Sequence, residues 1–261
     1  MNMFDMGIIP TMARTLRTLA LGFRDLLLPR GCAGCDAPDE VLCPRCVARF
    51  DGAHIRSLPV KGKTCCYACA RYEGASRRAI LAWKDHGDEE CDGAFACCLA
   101  RLALKVIKVI DTNQTAIDDV QAMPQIAGMP DIRGMRDVLL VPAPSSPASM
   151  RRRGRWQMAP LAKRTARMLN DSGVRTRVCP ILRLEGVRGR SVQTSGSLAR
   201  SKRIQGHVRA VGAIDDESAL VVIMDDIVTT GTTMGQCVTA LRAAGARHVV
   251  GLALACTPVR R

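Results

Sequence analysis

The run VVIMDDIVTTGTT, Val221 to Thr233, constrains the chain more than any other stretch. Its apolar beginning is a strand buried on both faces, which belongs in a parallel sheet rather than at a solvated edge. An acidic pair, Asp225 and Asp226, closes the strand, and the turn Thr229, Thr230, Gly231, Thr232, Thr233 leads into a helix. Gly231 lets the backbone approach an anion closely. The four threonines add hydroxyl donors to the free N–H groups at the helix start, a cradle suited to a 5′-phosphate. Asp225 and Asp226 repel a phosphate, but two carboxylates can accept hydrogen bonds from a ribose diol about one sugar-length away. An Asp-Asp pair alone also fits a solvated strand end or an Asx turn. The apolar run before it and the threonine turn after it are what point to ribose 5-phosphate.

The rest of the C-terminal half supplies a matching framework. From Asp137 onward short apolar runs alternate with helical stretches: VLLVPAP, a helix through PLAKRTARMLN, RVCPIL, a Gly/Ser/Arg loop, HVRAVG, ALVVIMDD, a helix through MGQCVTALRAAG, and HVVGLALA. That alternation predicts an α/β fold, a doubly wound parallel sheet with helices on both faces. Ligands of such sheets sit beyond the carboxyl ends of the strands. The expected organisation is an amphipathic helix over 1–30, a Cys-rich module over 31–70, a helical segment over 71–110, a variable connection over 111–136 and the α/β domain over 137–261.

The chain has 13 cysteines, and ten of them lie between residues 32 and 98. Cys32 and Cys35 form one CxxC pair and Cys43 and Cys46 another, with seven residues between the pairs. Two knuckles at that spacing can turn four thiolates onto one tetrahedral Zn²⁺, a closed and therefore structural site. The spacing and Pro44 favour zinc, and leave an iron–sulfur cluster or plain reduced thiols as alternatives. Cys65, Cys66 and Cys69 stay unassigned, while Cys91, Cys97 and Cys98 sit at helical spacing and read as packed thiols. The opening stretch carries Arg14, Arg17 and Arg24 within its apolar run, without a signal-peptide cleavage pattern. Leu16 to Leu28 is too short and too charged to cross a bilayer. It reads as an amphipathic helix packed on the domain, with a membrane-surface helix as the competing reading. Thiolate–metal ligation in a chain without an export signal makes the cytoplasm the expected compartment.

The stretch Val221–Thr233 resembles the phosphoribosyl pyrophosphate signature of type I phosphoribosyltransferases. Three further pieces, VPAP, MRRRGRWQMAPLA and GRSVQTSGSLARSKRIQGHVRA, are similar to segments of the ComF family, whose members pair a Cys-rich zinc module with this transferase fold. Where that family reads Arg-Gly-Phe-Asn-Gln, this chain has Arg153, Gly154, Arg155, Trp156 and Gln157, so the middle pair departs. Gln193, Leu198, Arg200, Arg203 and Gly206 follow the family's second pattern, and the resemblance runs from about Leu26 to Ala255 outside 111–136. It implies a type I phosphoribosyltransferase-like sheet with an N-terminal zinc module. The implied activity is displacement at ribose C1 of phosphoribosyl pyrophosphate, bound with Mg²⁺, by a base or amine. Asp225 and Asp226 would then hold the ribose and Thr229–Thr233 its phosphate. Arg152, Arg153 and the loop 186–203 would hold the departing diphosphate.

Charge agrees with anionic partners. Lys and Arg outnumber Asp and Glu by 38 to 24, and residues 151–203 alone carry fifteen cations against Asp171 and Glu185. Over the carboxyl edge of the sheet such cations suit a pyrophosphate. A solvated Arg-rich face or a nucleic-acid patch are the other readings. Only 3% of residues are aromatic, so a row of stacked bases is poorly supported. Three functions follow: a phosphoribosyltransferase, an accessory protein of DNA uptake that binds single-stranded DNA or a DNA-processing protein, and a sensor that binds the sugar phosphate without chemistry. The retained acidic pair and threonine turn favour the enzyme.

Overall fold

The computed structural model describes residues 31–112, 137–184 and 208–258. The helix expected over 1–30 and the loop 186–203 lie outside them, as does the connection expected over 111–136 apart from residues 111 and 112, which end a helix. In chain order the elements are α1 (Pro44–Val47), β1 (His54–Ser57), β2 (Cys65–Arg71), α2 (Gly74–Asp85), α3 (Cys91–Thr112), β3 (Val138–Pro142), α4 (Pro147–Arg153), α5 (Met158–Asp171), β4 (Thr176–Val178), β5 (Leu182–Leu184), β6 (Val208–Ala210), β7 (Leu220–Val228), α6 (Thr232–Ala243) and β8 (His248–Cys256).

The main sheet has the order β1-β2-β8-β7-β3-β4 and is parallel except at β1, which runs antiparallel to β2 at one edge. β5 and β6 form a separate antiparallel pair. The apolar runs at 138–142, 220–224 and 249–256 become three adjacent strands, β3, β7 and β8, because strands buried on both faces need no alternation in sequence. Alternation still governs where each side chain goes. Leu140, Leu220, Val222, Val250 and Leu252 enter a layer with α2, α3 and α5, while Leu139, Val141, Val221, Ile223 and Val249 enter a layer with α6 and Leu182 of β5. At Gly251 the α6 side comes so close that a Cβ would lie 2.3 Å from Met234 Sδ and 3.0 Å from Cys66 Cβ.

Connectivity locates the ligand edge. β3 leads through α5 to β4 on one side, while β7 leads through α6 to β8 on the other. Chains leaving β3 and β7 therefore diverge to opposite faces, and in such sheets ligands bind outside the carboxyl ends of strands at that divergence. The two ends are pinned together there by the Ala143 N–H, which donates to the Met224 carbonyl at 2.8 Å.

The N-terminal part differs from the expectation of one Cys-rich module over 31–70. Only residues 31–50 form that module. His54–Ser57 and Cys65–Arg71 are strands of the main sheet, and β2 lies directly beside β8. Five consecutive residues from Cys66 to Ala70 are buried, so Cys66 and Cys69 are strand thiols on opposite faces. Sequence reading missed this strand because its Cys and Ala residues carry little β-propensity, and contact with β8 decides the outcome. Nor does the module stand apart. Phe50 packs edge-on against Phe95 of α3 at 5.2 Å between ring centres, and Trp83 of α2 packs against the same ring at 5.4 Å. Arg78 Nε also donates to the Gly34 carbonyl at 2.8 Å. Among the described residues no helix is long and apolar enough to cross a membrane.

Candidate functional site

Asp225, Ile227, Val228, Thr229 to Thr233 and Met234 line a small open hollow at the carboxyl end of β7. The turn is shaped by Gly231, whose φ of 80° is left-handed and therefore favours glycine. A side chain there would also meet Leu58 Cδ2 at 3.0 Å and Pro59 Cδ at 3.3 Å, so the β1–β2 loop braces the back of the turn. Arg242 of α6 holds that loop, donating to the Lys61 carbonyl at 2.5 Å and to Thr64 Oγ1 at 2.8 Å. Gly231 at the N-cap has no side chain to cap α6, and the Thr232 N–H donates to Thr230 Oγ1 at 3.4 Å, so the N–H groups that follow it in the first turn are the ones open to an anion. The Thr230 and Thr232 hydroxyls are 2.9 Å apart and exposed. The turn residues thus border one open surface hollow.

The acidic pair is arranged differently from a clamp of two parallel carboxylates. Adjacent strand residues face opposite sides. Asp225 borders the hollow, and its Oδ1 accepts from the Asp226 N–H at 2.9 Å. Asp226 turns to the α2 side, where its Oδ2 meets Lys84 Nζ. Burial, and then the Asp226 charge, push the Asp225 carboxyl up to about 7, against the opposing pull of Lys84. Cys66 and Cys237, on β2 and α6, are pushed up by burial and then by the Asp225 charge, so both remain neutral thiols.

Arg152 and Arg153 end α4, the short helix that follows β3. Ser146 Oγ caps its start by accepting from the Ser149 N–H at 3.1 Å, and left-handed Gly154 closes it. Arg153 is only 14% exposed, and its Nε donates to Asp85 Oδ1 at 3.0 Å, whereas Arg152 is 68% exposed and 3.8 Å from the same oxygen. Arg152 is therefore the better placed of the two to meet a ligand in solution.

The departing pair Arg155-Trp156 has a structural explanation. Arg155 forms a fork on the buried Asp92 carboxylate, with 3.1 and 3.0 Å hydrogen bonds, and Trp83 Nε1 donates to the same group at 2.6 Å. Trp156 Nε1 donates to the Ala143 carbonyl at 3.0 Å, and Gln157 Nε2 to the Lys84 carbonyl at 3.0 Å. The segment 153–157 thus straps the end of α2 to the site.

Sequence reading missed Lys84, Asp85, Asp92 and Arg56. Arg56 donates to the Thr257 carbonyl, and Thr257 Oγ1 donates to the Thr229 carbonyl at 3.3 Å, which brings a cation next to the cradle. None of these four stands in a motif. Each has a partner distant in sequence: Asp226 for Lys84, Arg153 for Asp85, Arg155 for Asp92 and Thr257 for Arg56.

Cys32, Cys35, Cys43 and Cys46 converge as their spacing predicts, with all four sulfurs within 4.8 Å of one another and Cys35 and Cys43 at 3.6 Å. A tetrahedron with Zn–S bonds of ~2.3 Å has edges of roughly 3.8 Å, so one such ion fits. A multi-iron cluster places iron and sulfide between the thiolates and does not. The Ala37 N–H and then the Arg45 guanidinium hold the Cys35 thiol down at about 6, favouring the thiolate a metal needs.

No family model and no curated protein matches the chain. Among solved structures it is similar to a purine phosphoribosyltransferase from Pyrococcus horikoshii OT3, at 22% identity over 48% of this chain and 67% of that one, with a TM-score of 0.27. That is a weak and partial likeness. Firmly established are a mixed α/β architecture with a mainly parallel sheet and a four-cysteine cluster that could hold zinc.

Proposed function

We propose that the chain is a ComF-like phosphoribosyltransferase. It binds phosphoribosyl pyrophosphate with Mg²⁺ and transfers ribose 5-phosphate to a base or amine with release of pyrophosphate. One observation carries this reading. The start of α6 and the Thr229–Thr233 turn line one hollow together with Asp225 at the carboxyl end of β7. That pairing supports a ligand with an anion at one end and hydroxyls at the other. The 5′-phosphate takes the turn, a ribose hydroxyl donates to Asp225, and Arg152 screens the diphosphate. As the bond from C1 to the diphosphate oxygen breaks, its electron pair leaves with pyrophosphate. The acceptor nitrogen bonds C1 and loses its proton to solvent. Mg²⁺ keeps several waters and takes few carboxylates. Asp226 is already ion-paired, so diphosphate oxygens and water would supply most of its ligands, and its charge would ease departure of the diphosphate. Structural Zn²⁺ is assigned to Cys32, Cys35, Cys43 and Cys46.

Calorimetry with phosphoribosyl pyrophosphate and Mg²⁺, comparing wild type with Asp225→Asn/Asp226→Asn, tests the binding. Equal affinities defeat it. A panel of nucleobases and ammonia, read by pyrophosphate release, tests turnover. A second reading, accessory binding of single-stranded DNA, is favoured by Lys163, Arg164 and Arg167, all exposed on α5. It requires retention of DNA at low salt that weakens steeply as salt rises.

A further inference from the structure

We propose that Lys84 is a positioning residue of the sugar site: from the end of α2 its ammonium holds Asp226 on the helical side of β7 and leaves Asp225 as the carboxylate facing the sugar. This rests on the sugar-phosphate reading above. The Lys84–Asp226 pair is mostly buried, at 19% and 14% side-chain exposure, so removing one partner strands a charge in poor solvent. The backbone that presents Lys84 is itself secured. Gln157 Nε2 donates to the Lys84 carbonyl, Arg153 Nε to Asp85, and Trp83 Nε1 to Asp92. Three successive residues, Trp83, Lys84 and Asp85, are thus each tied to a different partner. A solvated surface lysine needs no such frame.

The charge balance gives Lys84 its effect. Two adjacent carboxylates share one ammonium, and the other ionisable groups facing Asp225 are Cys66 from β2 and Cys237 from α6. Both thiols are neutral, so among the described residues only Lys84 offsets the Asp226 charge. With Asp225 titrating at about 7, the protein binds sugar hydroxyls through a charged acceptor above that pH and a neutral one below. Loss of the ammonium destabilises the ionised form and moves the transition to higher pH.

The test is phosphoribosyl pyrophosphate affinity, with Mg²⁺, from pH 5.5 to 9 in the full chain and its Lys84→Met and Lys84→Arg variants. Wild type is expected to lose affinity as pH falls through about 7. An upward displacement of about one pH unit in Lys84→Met weakens binding at pH 7 about five-fold, while Lys84→Arg keeps the wild-type profile. The ligand's own titration is common to all three and cancels in the comparison. A folded Lys84→Met with the wild-type profile overturns the proposal, as does an Arg variant that behaves like Met. Should Lys84→Met fail to fold, Lys84→Gln against Lys84→Arg makes the same comparison. Wild type that binds no phosphoribosyl pyrophosphate at any pH defeats the sugar-phosphate reading itself, whereas binding with an unmoved profile defeats only the role of Lys84.

Discussion

Replacing Asp92 by Ala is expected to be among the most damaging changes outside the hollow. Its carboxylate is 5% exposed and takes three hydrogen bonds, two from Arg155 and one from Trp83. Arg155 is only 17% exposed, and its guanidinium lies 5.9 Å from the centre of the Trp83 ring. Asp92→Ala therefore leaves a mostly buried guanidinium facing the more exposed Glu89, 3.4 Å from its Nε, in place of a buried two-point carboxylate. Breaking a buried pair in this way costs about 3–5 kcal/mol. For a chain of this size each kcal/mol lowers Tm by roughly 2–4 °C, giving a fall of roughly 6–20 °C. Replacing both partners by apolar groups removes the stranded charge, so Asp92→Ala/Arg155→Met is expected to be more stable than Asp92→Ala alone. Thermal and urea unfolding of the two single variants and the double variant decide the matter. A loss under ~1 kcal/mol for Asp92→Ala, or strictly additive losses in the double variant, refutes a buried network. Because the same network holds the end of α2, Asp92→Ala should also weaken sugar-phosphate binding.

Gly231→Ala forces a left-handed conformation on a residue with a Cβ, at a cost of about 1–2 kcal/mol before the 3.0 Å contact with Leu58 is relieved; unfolding and ligand titration should both show it, and a neutral result shows that the turn relaxes freely. Cys46→Ser removes one of four thiolates, so bound zinc measured by elemental analysis should fall well below one per chain, and because Cys46 shares a core with Phe50 and Trp83 the whole chain should melt earlier. Retention of a full equivalent of zinc contradicts a four-thiolate site. Asp225 titrates at about 7 in the folded chain, above the ~3.9 of an unfolded aspartate, so the native state binds the extra proton between these values and its contribution to stability declines as pH rises through 7. Asp225→Asn should therefore raise Tm most at pH 8, by roughly a third as much at pH 5 and little below pH 4, while lowering ligand affinity. Equal effects at pH 8 and pH 5 exclude that titration.

Some of this architecture is readable from short stretches of chain. The strand–acid–threonine turn at 221–233 needs only its own residues: apolar side chains for a two-faced strand, a glycine for a left-handed turn, free N–H groups at a helix start. The four-thiolate cluster is equally local, since two knuckles seven residues apart meet by their own geometry. Helices α2, α3, α5 and α6 follow from the period of their apolar residues. Residues 54–71 were harder, because a strand of Cys, Tyr and Ala is recognised by its neighbour β8 rather than by its composition.

The amino-acid order by itself determined the turn and the thiol cluster, signals confined to a dozen or so neighbouring residues, and the parallel sheet, through the alternation of strand and helix patterns from Asp137 onward. Only the tertiary structure decided that Asp225 and Asp226 part to opposite faces, that Lys84 meets Asp226, and that Arg155 serves Asp92 rather than the hollow. The physical reason is that a charge chooses its partner by distance and burial in the packed chain, and neither quantity is carried by residues close in sequence.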